Sequence, residues 1–89
     1  MAVDIRDVLC RKWALEILRF LNSEGAQNYS QIETAFETSS DIITDRLQQL
    51  TSSGLISRDE KSAKDVRYSI TDDGEKTLQL LNEIHRLLD

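Results

Sequence analysis

The sequence predicts an α+β fold in which three helices precede a β-hairpin and a closing helix, all within one domain spanning residues 1–89. Three observations carry this expectation. Apolar residues recur at three- and four-residue steps up to Gly54, alternate with polar ones over Val66–Thr71, and return to the helical period beyond Thr71. The chain has no proline, and Gly25, Gly54 and Gly74 are its only glycines. A chain of this length buries only about 60–65% of the surface that its unfolded form exposes, which leaves little room for a second domain or a large enclosed active site.

From Asp4 to Asn22 the residues Ile5, Val8, Leu9, Trp13, Ile17, Phe20 and Leu21 predict a single amphipathic helix, closed by Gly25. Leu15 and Leu18 widen its stripe, so burial on two sides is expected. Ser30 is the expected N-cap of a short second helix with Ile32, Ala35 and Phe36 inward. Glu37–Ser40 breaks that helix, and Ser39 or Ser40 caps a third with Ile43, Leu47 and Leu50 inward. A helix, a turn of about four residues and a second helix over residues 30–53 have the spacing of a helix-turn-helix.

Two β-prone runs follow, Leu55–Glu60 and Val66–Thr71, joined through a tip at Lys61–Asp65, so a hairpin is expected over about residues 55–71. A short strand near Gln27–Tyr29 is a possible third. Thr71 can cap a last helix over about residues 72–88, with Asp72, Asp73 and Glu75 favourably placed against its dipole. Leu78, Leu81, Ile84 or His85, and Leu88 form its seam, and Leu80 and Leu87 add a second strip. Three helices plus a hairpin and a C-terminal helix make a winged helix-turn-helix.

Composition narrows the function classes. No apolar run approaches the ~20 residues that span a bilayer, and the charges in Met1–Asp7 do not suit a secretory leader, so a cytoplasmic protein without membrane attachment is expected. One cysteine and one histidine can form neither an internal disulfide nor the usual zinc site, so no metal and no cofactor are expected. No phosphate-binding glycine loop and no catalytic constellation is present in the motifs, so no catalytic residues are assigned and an enzyme is not expected. Net charge is −5, which on average repels nucleic acid. The positive charge is nevertheless gathered: residues 4–21 and 57–67 each sum to +1, while 22–38 and 72–89 each sum to −3.

Four segments, in order and at matching spacing, resemble the HxlR-type winged-helix transcription regulators. Arg11-Lys12-Trp13 through Ile17-Leu18 and Leu21 is similar to the Lys-Trp…Ile-Leu…Leu first helix of that family, and Tyr29-Ser30-Gln31-Ile32 to its Phe-Ser-Glu-Leu. Ser39…Ile43-Thr44…Leu47…Leu50…Gly54-Leu55-Ile56…Arg58 resembles its recognition helix and first wing strand, and Val66-Arg67-Tyr68-Ser69-Ile70-Thr71-Asp72-Asp73-Gly74 its second strand and helix start. MarR- and PadR-type winged helices share several of these features. The resemblance implies a transcriptional regulator with double-stranded DNA as partner. A small-molecule inducer is left unassigned.

The expected interface has two parts. In a helix-turn-helix the second helix enters the major groove, here residues 40–53. With Ile43, Leu47 and Leu50 inward, its outward residues are Ser39, Ser40, Asp41, Thr44, Asp45 and Gln48, with Arg46 flanking them and able to reach guanine or phosphate. Asp41 also has a plain role, favouring the helix N-terminus electrostatically. On the hairpin, Arg58, Lys61, Lys64 and Arg67 are candidates for the phosphate backbone, offset by Asp59, Glu60 and Asp65. The leucine-rich last helix, through Leu78, Leu81, Ile84 and Leu88, is expected with the first helix to form a homodimer interface. Cys10 beside Arg11 and Lys12 is a candidate redox sensor, as in the thiol switches of some HxlR-type regulators, or else a small buried apolar residue. The other function open to this fold is a protein-interaction module that does not bind DNA, motivated by the acidic balance and the two aspartates on the third helix.

Overall fold

The computed structural model describes residues 4–88. Its elements are α1 (Ile5–Val8), α2 (Ala14–Glu24), β1 (Gln27–Asn28), α3 (Tyr29–Ala35), α4 (Ser40–Ser52), β2 (Ile56–Ser62), β3 (Asp65–Ile70) and α5 (Asp72–Leu88). The three strands form one antiparallel sheet in the order β1-β3-β2. The winged helix-turn-helix architecture is therefore as expected.

The first helix departs from expectation. In place of one helix over residues 4–22 there are two, separated by a turn at Leu9–Trp13. Geometry supplies the reason. At about 100° per residue, a straight helix would set Val8 on roughly the opposite face from Ile17. Both are buried in the same core, so the chain must turn between them. Trp13 absorbs the reversal in a left-handed conformation, φ 76°, unusual for a residue with a side chain. The carboxylate of Glu16 accepts the Trp13 N–H at 3.2 Å, and Arg11 Nε donates to the Asp7 carbonyl at 2.9 Å. Asp4 caps α1 by accepting the Arg6 N–H, and the Arg6 guanidinium and N–H hold its carboxyl below the usual carboxylate range. Cys10 lies in this turn and is exposed, which corrects the reading of it as a buried apolar residue.

Two local corrections follow in α3. Its N-cap is Asn28 rather than Ser30: the Asn28 side chain accepts the Gln31 N–H at 2.8 Å while the Gln31 side chain accepts the Asn28 N–H at 2.9 Å. Ala35 is exposed, and the helix is held down by Ile32 and by Phe36, which packs edge-on against Trp13 and Phe20 at 5.7 and 5.6 Å between ring centroids.

α4 follows expectation. Ser39 is its N-cap, accepting the Ile42 N–H, and Ile43, Leu47 and Leu50 are buried. They join Val8, Leu9, Ile17, Leu18, Leu21, Ile32, Ile56 and Leu78 in one cluster. Among the described residues none that is polar or charged is buried. Leu78 thus belongs to the core of its own subunit, which removes it from the expected dimer interface. Leu81 is half-buried against the same core, and Ile84 and Leu88 are exposed.

The junction between hairpin and α5 is tightly tied. Thr71 Oγ1 donates to the Gly54 carbonyl at 2.7 Å and accepts the Gly74 N–H at 3.1 Å, while the Thr71 N–H reaches the Leu55 carbonyl at 3.1 Å. Gly74 is buried here, and a side chain is excluded because a Cβ would lie 2.2 Å from the Leu55 carbonyl oxygen, a backbone atom that cannot yield cheaply. Alanine would gain about 1 kcal/mol of helix propensity but meet an overpacking cost of about 1–3 kcal/mol or more. Gly74→Ala is therefore expected to destabilise the domain by about 2 kcal/mol, read as a fall in Tm of about 8–16 °C by circular dichroism. An unchanged Tm would show that the junction is loose.

Candidate nucleic-acid interface

The aliphatic row on α4 fixes which residues it shows to solvent. Ser39, Ser40, Asp41, Thr44 and Gln48 are exposed, and Asp45 is half-exposed. This face carries three hydroxyls, an amide and two carboxylates. Tyr29 braces it from α3: its hydroxyl donates to the Ser40 carbonyl at 3.1 Å and lies 3.1 Å from Thr44 Oγ1. The Ser40 hydroxyl donates in turn to the Glu33 carboxylate. Two residues of the expected face are thereby held in place by α3.

Between α4 and the sheet runs a cleft of ≈ 620 Å³, lined on one side by Thr44, Gln48 and Ser52 and on the other by Arg58 and Tyr68, with Tyr29 at its end. Arg58 and Tyr68 are cross-strand partners. The Tyr68 hydroxyl, and after it Glu60, raise the Arg58 pKa further above its already high ordinary value, so Arg58 is a permanent cation at the cleft. Tyr29, Tyr68 and Ser52 were not singled out from the sequence. Tyr29 entered the sequence reading only through the family resemblance and Tyr68 through that and the strand alternation, and what marks them is a hydroxyl at the end of an otherwise inward-facing side chain.

The strand register divides the hairpin cations. Arg58 shares a sheet face with Glu60, Val66 and Tyr68, turned toward α4. Lys61 and Arg67 line a concavity on the other face with Asp59 and Asp65. Lys64 occupies the two-residue turn at Ala63-Lys64. Each strand cation is within reach of a nearby acid: Arg58–Glu60 3.3 Å, Lys61–Asp59 4.0 Å and Arg67–Asp65 3.2 Å. All these pairs are exposed, so each holds weakly. Lys64 has no carboxylate partner among the described residues.

Arg46 does not join the exposed face. Its side chain is only 14% exposed, its Nε donates to the Lys12 carbonyl at 2.8 Å, and its guanidinium pairs with Asp45. The expectation that it reaches guanine or phosphate is corrected accordingly. The residue sits at the inner edge of α4, where a fork-shaped cation finds a backbone carbonyl closer than solvent.

Ile5, Leu80, Ile84, Leu87 and Leu88 are exposed, the last two by 84% and 82%. Ile5, Val8 and Leu9 on one wall and Leu80, Leu81 and Ile84 on the other enclose an apolar groove of ≈ 350 Å³ between the N-terminal segment and α5. No group of three or more metal-ligating side chains occurs among the described residues, and no described helix is long and apolar enough to cross a membrane.

The comparisons with known proteins agree with this architecture. The family model for HxlR-like helix-turn-helix proteins matches residues 8–89. The HTH-type transcriptional regulator YvaP of Bacillus subtilis (strain 168) is 36% identical over 84 residues, covering 90% of this chain and 76% of that protein. A crystal structure described as a MarR-family transcriptional regulator from Enterococcus faecalis V583 superposes with a TM-score of 0.81 at 21% identity, covering 98% of this chain and 87% of that one. A second, described as a MarR-family regulator from Porphyromonas gingivalis W83, gives 0.76 at 28% identity, covering 91% and 81%. With nearly its whole length matched by the family model and the helix-turn-helix and wing in place, the chain belongs to the HxlR-like helix-turn-helix family of transcriptional regulators.

Proposed function

We propose that this protein is a sequence-specific, homodimeric transcriptional regulator that inserts α4 into the major groove of duplex DNA and lays the β2–β3 wing on the phosphate backbone. One observation carries the reading. The buried row Ile43, Leu47 and Leu50 leaves a continuous polar face on α4 that opens into a cleft closed by a cationic wing. Ser39, Ser40, Asp41, Thr44, Asp45 and Gln48 form the major-groove face, with Thr44 and Gln48 the candidates for base edges, since an amide can bond adenine in two places and a hydroxyl adapts to any base. Asp41 and Asp45 weaken binding to phosphate, and their carboxylates can accept from cytosine. Arg58, from the cleft, and Lys64, from the turn, are assigned to phosphates. Lys61 and Arg67, on the opposite sheet face, are assigned a lesser part.

The dimer is assigned to the groove between the N-terminal segment and α5, with Ile84, Leu87 and Leu88 packing across it. Exposed leucines in a row at the end of a helix cost solubility unless covered, and a stable dimer needs about 800 Å² per partner. Two-fold symmetry would then present two α4 helices to successive major grooves, roughly 34 Å apart.

Three measurements test this. Selection from a random-sequence duplex pool should recover a two-fold symmetric site, and Gln48→Ala should relax the preference at one position per half-site, at a cost of about 1–3 kcal/mol there. Failure to bind any duplex at low salt, with a protein partner retained instead, would sink the proposal. Four phosphate-facing cations per dimer give a slope of log K on log salt of about −4, where all eight wing cations would give about −7. Lys64→Ala should flatten that slope by about 2 and Lys61→Ala should leave it nearly unchanged, both read by anisotropy titration. By analytical ultracentrifugation at tens of micromolar the protein should be a dimer and Leu87→Asp a folded monomer. A wild-type monomer would remove the assembly from the proposal.

A further inference from the structure

The structure points to Arg46 as a positioning residue. We infer that its guanidinium ties α4 to the backbone of the Leu9–Trp13 turn and thereby sets the angle at which Thr44 and Gln48 meet DNA. The inference rests on the reading of α4 as the recognition helix. Arg46 is the only cation in α4, and an exposed basic residue would be the natural choice for that surface. Instead its Nε donates to a carbonyl 34 residues away, at 2.8 Å. The carbonyl is one the local backbone leaves over. Arg11 O accepts from Ala14 N–H and Trp13 O from Ile17 N–H, whereas Lys12 O falls between them and takes Arg46.

The other arm of the guanidinium pairs with the Asp45 carboxylate. One planar fork therefore grips the turn and offsets a negative charge on the DNA-facing side of α4. A lysine ammonium is a single point and cannot span both partners in fixed geometry. The turn it grips is itself tightly specified, with Trp13 at φ 76° and Lys12 Nζ 5.6 Å from the Trp13 ring centroid. The turn continues directly from α1, which lines the apolar groove assigned to the second subunit. A single side chain thus bridges the segment that faces a partner subunit and the helix that faces DNA.

The test compares wild type with Arg46→Lys and Arg46→Met, each checked for folding by circular dichroism. The probes are a duplex recovered by the wild-type protein from a random pool and a scrambled duplex of the same composition. Both variants should bind the recovered duplex on the order of tenfold more weakly and the scrambled duplex within about twofold of wild type, with the salt slope and the preferred bases unchanged. Trp13, the only tryptophan, should shift its emission in both variants without DNA. Binding by Arg46→Lys equal to wild type would show that charge alone matters and overturn the inference. A new base preference at one position would make Arg46 a direct reader, and an equal loss on both duplexes with a shallower slope would make it a phosphate contact. Either result overturns it. If the wild-type protein binds no duplex, the functional reading fails separately. The tether is then judged on the free protein, where unchanged Trp13 emission and unchanged hydrogen exchange in α4 would overturn it.

Discussion

A row of three aliphatic side chains on α4 governs the rest of the molecule. Ile43, Leu47 and Leu50 sit at three- and four-residue steps and are wholly withdrawn from water, so the helix can dock in only one rotation. The hydrophobic effect has no direction of its own, but a stripe on a helix gives it one. Every polar residue on the other side is then exposed by default, and the Ser39 cap and the Tyr29 hydroxyl only refine where the helix begins. The core that receives the row contains no polar or charged residue among those described, so its packing sets which face of α4 turns inward.

The electrostatics are more reserved than a cation count suggests. Four basic residues on the hairpin look like a phosphate-binding comb in one dimension. Strand alternation distributes them over two faces and the turn, and nearby acids partly neutralise those on the strands. Such a surface attracts DNA weakly at long range, so under the proposed function discrimination between sequences would come from the exposed polar side of α4. Low background attraction favours that discrimination, because non-specific binding is the electrostatic part of affinity.

Most of the fold was legible from spacing. The α4 face, the division of β3 between two sheet faces and the Thr71 cap were each visible as short-range pattern and hold in three dimensions. What was not legible depends on contacts distant in sequence. The break at Leu9–Trp13 arises because Val8 and Ile17 share a core, a fact that a local stripe cannot contain. Arg46 looked like a DNA contact because its partner lies 34 residues earlier and is a carbonyl, which no residue type announces. Leu78 and Leu88 fall on one helical seam, yet the first is core and the second bare, because the body of the domain ends before the helix does.

The close approach of Gly74 to the Leu55 carbonyl leaves no slack between the root of the hairpin and the start of α5. Hairpin and helix behave as the two arms of a calliper riveted at that point. In any two-fold assembly clasped through α5, the crossing angle of the paired helices would be transmitted undamped to the separation of the hairpin tips. Gauge and grip would then become one mechanical quantity, set where α5 meets its partner.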